Sequence, residues 1–350
     1  MRILLTGGDT FIGSHVAAIL LDAGHDLRLL TPRVSPCELA LSAHGYDVDE
    51  LERTDTLHLI EGDITDPRSV VKALVGCEGV VHLAAQSTPH WGRRRASAHT
   101  TEYIVTGTQN IINAALDHDT GTVSICSPVS VLAPYTRPTI SPDDPTGPGE
   151  TPRLQALVAA DNYARLRQAG GDPITITYTA TPVGPIDPQM ALASQSLRTW
   201  LTRAVPVSTD ARTALIDVRD LGAVLTQTAT ATSKPHRYLA FGHLVDLRTI
   251  ADILDRVTGH RTRKVPMPRL AFDAVGLLGT TQRLAGREAH YDRQLMTTLY
   301  EWKPGDQTRI YQDFGITPRP LAETVADSIS WLGANGLVSA SKLGVLAGRR

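Results

Sequence analysis

The residues with the clearest chemical potential lie near the start of the chain, in a turn rich in glycine. An apolar run at 3–5 precedes Gly7 and Gly8, and an apolar pattern at helical spacing follows Gly13. A helix N-terminus that follows a strand and a glycine turn offers free N–H groups and a partial positive charge to a pyrophosphate. The spacing therefore predicts a dinucleotide site, and a tight turn that binds no ligand is the alternative.

The elements that would position this turn alternate along the chain. Short apolar runs predict strands at 26–30, 57–59, 79–85, 123–127 and 171–176. Segments with apolar residues at three- and four-residue spacing separate them and predict helices. This alternation is typical of an α/β fold with a doubly wound parallel sheet.

Composition excludes several kinds of partner. The 350 residues carry a formal net charge of −2 and 20% charged residues, which argues against a nucleic-acid partner. Cysteines at 37, 77 and 126 form no C-x-x-C pair, which favours a reducing cytoplasm and no metal site. The apolar run at 270–279 is too short for a transmembrane segment. It predicts a core helix or, alternatively, a helix that lies on a surface.

Several motifs resemble those of the extended short-chain dehydrogenases/reductases, a family that includes sugar-nucleotide epimerases, dehydratases and dihydroflavonol-type reductases. The sequence TGG-x-x-FIGSH at 6–15 is similar to the family's glycine turn. GDITD at 62–66, VVHLAA at 80–85 and VGP at 183–185 match further family segments. The similarity extends over about residues 1–332.

This resemblance implies a Rossmann-type doubly wound parallel sheet with a smaller C-terminal α/β substrate lobe. We expect a dinucleotide-binding domain over 1–185, completed by a return segment at about 213–240, in which Asp220 caps the start of a helix. The smaller lobe is expected over 186–212 and 241–332. The tail at 333–350 has no counterpart, and we expect a surface helix or a disordered end there.

The resemblance also implies which residues bind the cofactor. The turn would hold the pyrophosphate, Asp63 would contact the adenine, and the small residues after the fourth strand would run beside the cofactor. Thr10 stands where the family has its middle glycine, so its side chain is expected to crowd the phosphate. The candidates are Gly7, Thr10, Phe11, Ile12, Gly13, Arg33, Asp63, Ile64, Leu83, Ala84 and Ala85.

The end of the second predicted strand bears on the choice of cofactor. NAD enzymes place an acid there to bind the ribose hydroxyls, whereas this chain continues with Thr31-Pro32-Arg33. The missing acid and the nearby Arg33 favour NADP over NAD. A solvated loop arginine is the alternative interpretation.

The positions that carry chemistry in the family are altered. Its Tyr and Lys lie four residues apart on one helix, where Tyr moves a proton and Lys lowers the tyrosine pKa. Arg153 and Leu157 stand in their places, and neither supplies this chemistry. Ile104 likewise replaces an asparagine. Ser127 matches a hydroxyl residue that holds the substrate oxygen, and His90, in a polar loop that could equally be solvated, is a candidate proton carrier.

Two functions stay open at this point. The first is an NADP-dependent (or NAD-dependent) oxidoreductase on a carbonyl or hydroxyl carbon, in which Ser127 holds the oxygen and His90 or water moves the proton. The second is a catalytically silent protein that senses a nucleotide or acts as a scaffold. The expected partners are a small-molecule substrate or a nucleotide, with a homodimer as the expected assembly and no metal.

Overall fold

The computed structural model describes residues 1–83, 96–208, 210–230, 236–284 and 293–348. Within these ranges the strands are β1 (Arg2–Thr6), β2 (Asp26–Thr31), β3 (Leu57–Glu61), β4 (Gly79–His82), β5 (Thr122–Pro128), β6 (Ile174–Thr179), β7 (Thr181–Val183), β8 (Val205–Val207), β9 (Arg212–Asp217), β10 (Arg237–Ala240), β11 (His243–Asp246) and β12 (Lys264–Pro266). The helices are α1 (Phe11–Asp22), α2 (Val34–Ala43), α3 (Val48–Arg53), α4 (Pro67–Leu74), α5 (Ala96–Asp117), α6 (Pro152–Ala169), α7 (Leu192–Thr202), α8 (Val218–Thr230), α9 (Leu247–Thr258), α10 (Arg269–Leu284), α11 (Arg293–Thr298), α12 (Thr308–Phe314), α13 (Leu321–Ala334) and α14 (Ala340–Leu343).

A seven-stranded sheet in the order β10-β6-β5-β4-β1-β2-β3 forms the centre of the molecule. Every neighbouring pair in it is parallel. The strand order reverses between β1 and β4, and ligands of such sheets bind in the crevice beyond the carboxyl ends at this point. The structure confirms the predicted doubly wound α/β fold.

The smaller sheets lie outside this frame. One has the order β11-β9-β7, and the other pairs β12 with β8. The predicted return segment therefore divides: β9 pairs with β7 and β11, whereas α8 packs on α1 and β10 joins the large sheet. Gly222 allows the close contact of α8 with α1, because a Cβ there would lie 2.7 Å from Ile19 Cδ1.

The start of α8 differs from the sequence prediction that Asp220 caps it. The helix begins at Val218, directly after β9, and Asp217 accepts a hydrogen bond from Arg219 N at 2.8 Å. Asp220 lies inside the first turn and accepts from Arg319 N at 2.6 Å. The predicted cap was therefore wrong because the strand passes into the helix earlier than the residue pattern indicates.

The C-terminal segment is anchored to the smaller lobe. After α13 it forms α14 and a 3₁₀ turn at Gly344–Gly348, and Leu343 and Leu346 are buried with residues of α9 and α13. Gly344 has a φ of +58°, and a Cβ there would lie 1.9 Å from Thr258 O. The segment up to 348 thus packs against the lobe through its apolar residues.

Helix α10 covers the run for which the sequence left two interpretations open. Phe272 is buried, while Leu270, Leu277 and Leu278 are exposed on the outer side. The helix therefore contributes to the core and also presents apolar residues outward. No helix in the described ranges combines the length and hydropathy needed to cross a membrane.

Candidate functional site

The glycine turn (residues 6–13) lies at the crevice beyond β1. Gly7 has a φ of +76°, a conformation that favours glycine, and its carbonyl accepts from Thr10 N at 3.0 Å. A Cβ on Gly13 would lie only 2.0 Å from Gly7 O, so no other residue fits there. This close approach of helix to strand is what a pyrophosphate cradle requires, and the residues present therefore fit a dinucleotide.

Thr10 is the N-cap of α1. Its φ of −87° and ψ of 163° are ordinary extended values, and its hydroxyl accepts from Gly13 N at 2.9 Å. The turn therefore needs no glycine at this position. The hydroxyl does, however, occupy an N–H group that would otherwise be available to a phosphate. The side chains of Phe11 and Ile12 are buried, so these two candidates can offer only backbone groups.

Charged and polar side chains lie around the turn. Burial raises the pKa of Asp9, and the positive charge of Arg33 opposes this shift. Arg33 itself is exposed at the start of α2. Gln189, in the loop after β7, donates to the carbonyl oxygen of Asp9, so this loop contacts the turn.

The GDITD segment is fixed by an internal turn. Asp63 Oδ1 accepts from Thr65 N and from Thr65 Oγ1, both at 2.8 Å. Ile64 is buried against α5, where a Cβ on Gly107 would lie 2.3 Å from Ile64 Cδ1. Ile64 can therefore contribute to a ligand only through its backbone.

Tyr103 of α5 is a buried residue that the sequence analysis did not single out. Burial raises its pKa, and the negative charges of Asp63 and Asp9 raise it further. Asp9 was missed as well, although it lies inside the glycine motif. Only the three-dimensional proximity of α5 to the turn identifies these two residues.

The residues at the end of β4, His82 and Leu83, are held by contacts within the protein. His82 Nδ1 contacts Thr6 Oγ1 at 2.7 Å and Nε2 contacts Thr108 Oγ1 at 3.0 Å, while burial lowers its pKa to about 4. His82 is therefore a neutral, structural residue. Leu83 is buried and donates its N–H to Thr6 O at 3.2 Å. Ala84, Ala85 and the candidate proton carrier His90 lie outside the described residues.

Ser127 is buried at the end of β5 and belongs to a polar group that we call the Asp161 cluster (Ser127, Asp161, Arg165 and Tyr178). Asp161 Oδ2 accepts from Arg165 Nε at 2.8 Å and from the Tyr178 hydroxyl at 3.0 Å. Burial raises the pKa of Asp161, whereas Arg165 and the hydroxyls of Ser127 and Tyr178 lower it. Asp161 Oδ1 is buried without a close hydrogen-bond partner among the described residues.

Arg165 holds this cluster together. Besides the Asp161 contact, it lies over the Tyr178 ring at 5.2 Å from the centroid, and its Nη1 donates to Asp144 O at 2.8 Å. The hydroxyl of Tyr163, on the same helix as Arg165, donates to Asn113 Oδ1 at 2.5 Å. Tyr163 is therefore engaged with α5.

The first turns of α6 carry the two substituted catalytic positions. Thr151 caps the helix by accepting from Leu154 N at 3.2 Å. Leu157 is buried in the main apolar core. Arg153 is exposed to solvent, yet desolvation by the surrounding protein lowers its pKa, which is typical of a residue in an open recess. Within the described part of the chain, no three His, Cys, Asp or Glu side chains are grouped to hold a metal ion.

Comparisons with known proteins agree with this geometry. The family model described as the NAD dependent epimerase/dehydratase family matches residues 3–239. A protein of Synechocystis sp. that is provisionally named dihydroflavonol 4-reductase is 23% identical over 343 residues, which are 95% of each chain. Sterol demethylase protein B of Methylococcus capsulatus is 23% identical over 349 residues, 97% of this chain and 100% of that protein.

Solved structures share the fold. DesIV, a dTDP-glucose 4,6-dehydratase of Streptomyces venezuelae with NAD and TYD bound, superposes with a TM-score of 0.67 at 21% identity. The match covers 97% of this chain and 99% of DesIV. The glycine turn, the sheet order and the matched segment lead to one conclusion: the chain belongs to the NAD-dependent epimerase/dehydratase family, within the extended short-chain dehydrogenases/reductases.

Proposed function

We propose that the chain binds NADP and acts as an oxidoreductase on a carbonyl or hydroxyl carbon of a small molecule, without a tyrosine–lysine pair. The glycine turn is the observation that carries this proposal. The absence of space for a Cβ at Gly13 and the positive φ of Gly7 hold the α1 N-terminus directly beyond β1. The reductase named in Synechocystis and the NAD bound to DesIV support the same class of chemistry.

In this proposal, different residues bind different parts of the nucleotide. The backbone N–H groups at the start of α1 hold the pyrophosphate, Asp63 binds the adenine, and Arg33 binds the 2′-phosphate that distinguishes NADP. The bound nicotinamide nucleotide supplies or accepts the hydride. Asp9 and Arg33 lie close enough for Arg33 to lower the Asp9 pKa, so that Arg33 compensates a negative charge that would repel the 2′-phosphate.

The Asp161 cluster sets the role of Ser127. Arg165 at 2.8 Å favours the ionised form of Asp161, and a carboxylate only accepts hydrogen bonds. The nearby Ser127 hydroxyl lowers the pKa of Asp161, and in this proposal it donates its proton to Asp161 while its oxygen accepts from a substrate hydroxyl. This arrangement orients an alcohol but moves no proton to bulk solvent, so we assign that step to His90 or to water.

A catalytically silent nucleotide sensor is the second candidate. Its specific support is the helix α6, where Leu157 is buried in the apolar core and Arg153 remains protonated at all accessible pH values. Neither residue can act as a general acid. In this role the chain would bind the dinucleotide and respond by a change of shape or partner. We also propose a homodimer, which light scattering during size-exclusion chromatography tests.

Calorimetric titration with NADPH and with NADH, followed by turnover assays on ketones, alcohols and sugar nucleotides, separates these candidates. The oxidoreductase predicts tighter NADPH binding and turnover that Ser127→Ala lowers without weakening the cofactor. Binding without turnover on any substrate supports the sensor. Failure of both dinucleotides to bind refutes both candidates.

A second experiment restores the missing pair. Arg153→Tyr combined with Leu157→Lys places the two groups at the family spacing, and proton transfer by such groups contributes about 10²–10⁴-fold in rate. We expect the double variant to oxidise NADPH faster than the unaltered protein and faster than either single variant. Leu157→Met is the matched control, because it keeps the volume and adds no charge. Turnover by the unaltered protein as fast as that of the double variant would contradict this reasoning, because proton transfer would then not be limited by the missing pair.

A further inference from the structure

An apolar cavity of about 350 Å³ lies in the smaller lobe, between α7, α9, α10, α11 and α13. Residues of β7, β8, β9 and β12 complete its walls. Trp200, Phe272 and Met296 are the largest side chains on its surface. The cavity contains none of the residues assigned above to the cofactor or to the Asp161 cluster.

The chemistry of the walls excludes a charged ligand. No lining residue carries a charge, and the polar groups are the hydroxyls of Thr181, Ser196, Thr199 and Thr213 and the indole of Trp200. The Thr199 hydroxyl is already used, because it donates to Gln195 O at 2.8 Å. A phosphate or carboxylate placed here would lose its hydration without gaining a counter-charge, which is strongly unfavourable.

The size of the cavity indicates a ligand rather than a packing defect. Voids in protein cores rarely exceed a few water molecules, since each lining atom that faces empty space loses its dispersion contacts. About 350 Å³ falls instead in the range of small-molecule sites, roughly 300–1,000 Å³. The walls are almost entirely apolar, so an apolar molecule is the ligand class that they favour.

The topology sets an upper limit to the distance between Ser127 and the cavity wall. Ser127 is the register partner of Tyr178 in the large sheet, and Thr181 on the cavity wall is three residues beyond Tyr178. Paired strands are about 4.8 Å apart and three residues span at most about 11 Å, so the Ser127 and Thr181 Cα atoms are separated by at most about 16 Å. One elongated molecule can therefore reach both places.

We propose that this cavity binds the hydrocarbon part of an uncharged, elongated apolar molecule whose oxygen-bearing end is directed to Ser127. Binding of the hydrocarbon part follows from the cavity alone. The direction of the oxygen toward Ser127 rests on the proposed oxidoreductase function. The substrate class is thus a long-chain or polycyclic alcohol or ketone, and not a sugar nucleotide.

A fluorescent apolar probe tests the cavity directly. N-phenyl-1-naphthylamine, which is uncharged, is titrated into the full-length protein without a dinucleotide. Val275 lines the cavity, whereas the adjacent Ala274 on α10 is exposed and does not line it. We expect Val275→Trp to weaken probe binding at least tenfold and the matched control Ala274→Trp to leave it within twofold.

A second cavity-filling variant keeps the test decisive if the first variant does not fold. Ala193→Phe fills the cavity from α7, and circular dichroism establishes that each variant is folded. If Val275→Trp does not fold, Ala193→Phe decides the outcome. Equal probe affinity in the unaltered protein and in a folded cavity-filling variant would overturn the proposal, as would equal weakening by Ala274→Trp.

Competition identifies the ligand class and separates the two proposals. Dodecanol and cholesterol are expected to displace the probe, at least one of them fully, and UDP-glucose is expected to displace none. If the probe binds and NADPH does not, the cavity stands and the oxidoreductase proposal fails. If NADPH binds but neither alcohol displaces the probe, the ligand class proposed here is refuted while the cofactor site stands.

Discussion

Replacement of Thr10 by glycine is the sharpest test of the cofactor site. In the structure the Thr10 hydroxyl accepts from Gly13 N at 2.9 Å, at the helix end where the pyrophosphate is expected. Removal of the side chain frees this N–H for the phosphate and removes bulk beside it. We therefore expect Thr10→Gly to bind NADPH more tightly than the unaltered protein.

The expected gain in affinity follows from the energy of the one hydrogen bond that the freed N–H can make to the phosphate. A hydrogen bond to a charged group contributes about 1.5–3 kcal/mol, and part of this gain is lost because the freed N–H must shed water. A net gain of about 1 kcal/mol corresponds to a roughly fivefold lower Kd. Stability should change in the opposite direction: loss of the cap to glycine costs a few tenths of a kcal/mol, and the added backbone freedom costs about 0.5–1 kcal/mol.

Two assays and two control variants complete the experiment. Calorimetry measures the affinity for NADPH, and chemical denaturation measures the free energy of unfolding. Thr10→Ser keeps the capping hydroxyl and should leave both values nearly unchanged, whereas Thr10→Ala frees the N–H and should also tighten binding. If Thr10→Gly binds NADPH no more tightly, the phosphate does not use Gly13 N and the reasoning is refuted.

Three further results are expected. Arg33→Ala should weaken NADP binding about tenfold in calorimetry and leave NAD unchanged, and equal losses for both would contradict the 2′-phosphate assignment. Burial lowers the pKa of both His82 and His15 to about 4, so the folded protein binds fewer protons than the unfolded chain between pH 4 and 6.5. The free energy of unfolding should fall as the pH drops through this window, and His82 should account for up to about 3 kcal/mol of that fall. Chemical denaturation of His82→Gln should show a smaller slope with pH, and an unchanged slope would be contrary evidence. Leu343 is buried, and Leu343→Ala should lower the free energy of unfolding by about 2–4 kcal/mol in urea titrations. The Val345 side chain is 70% exposed, so the control variant Val345→Ala should change this free energy little. Similar values for the two variants would mean that the C-terminal segment does not stabilise the lobe.

The elements of the nucleotide-binding region could be predicted because their signals are local. The apolar run before Gly7 and the glycine spacing depend on residues within a few positions of one another, and the structure has the strand and the helix at these places. Asp246 is a further local signal, since it caps α9 by accepting from Thr249 N at 2.7 Å. The Asp220 prediction failed because two acids lie three residues apart and only the geometry after β9 selects between them.

Contacts between distant segments could not be predicted in this way. Asp161 and Tyr178 meet because α6 packs on β6, and Gln189 meets Asp9 across 180 residues of chain. Tyr103 reaches the acids of the pocket through the packing of α5. The apolar cavity could not be predicted for the same reason, since its walls come from nine helices and strands that no sequence motif links. These features follow from tertiary packing, for which the sequence pattern holds no local signal.

Three residues that differ from the family pattern, Thr10, Ile104 and Leu157, have structural roles in this protein. Thr10 caps α1, Ile104 is fully buried, and Leu157 is buried in the same apolar core as Ile104. Exchange of a polar active-site group for an apolar or capping residue commonly adds stability at the expense of activity. Restoring the family residues should therefore lower the stability of the fold. Leu157→Lys would place an ammonium group in an apolar cluster, unless a bound dinucleotide or the side chain introduced by Arg153→Tyr offers it a partner. If the double variant at 153 and 157 folds only in the presence of NADPH, the bound cofactor lies beside α6 and supplies that partner.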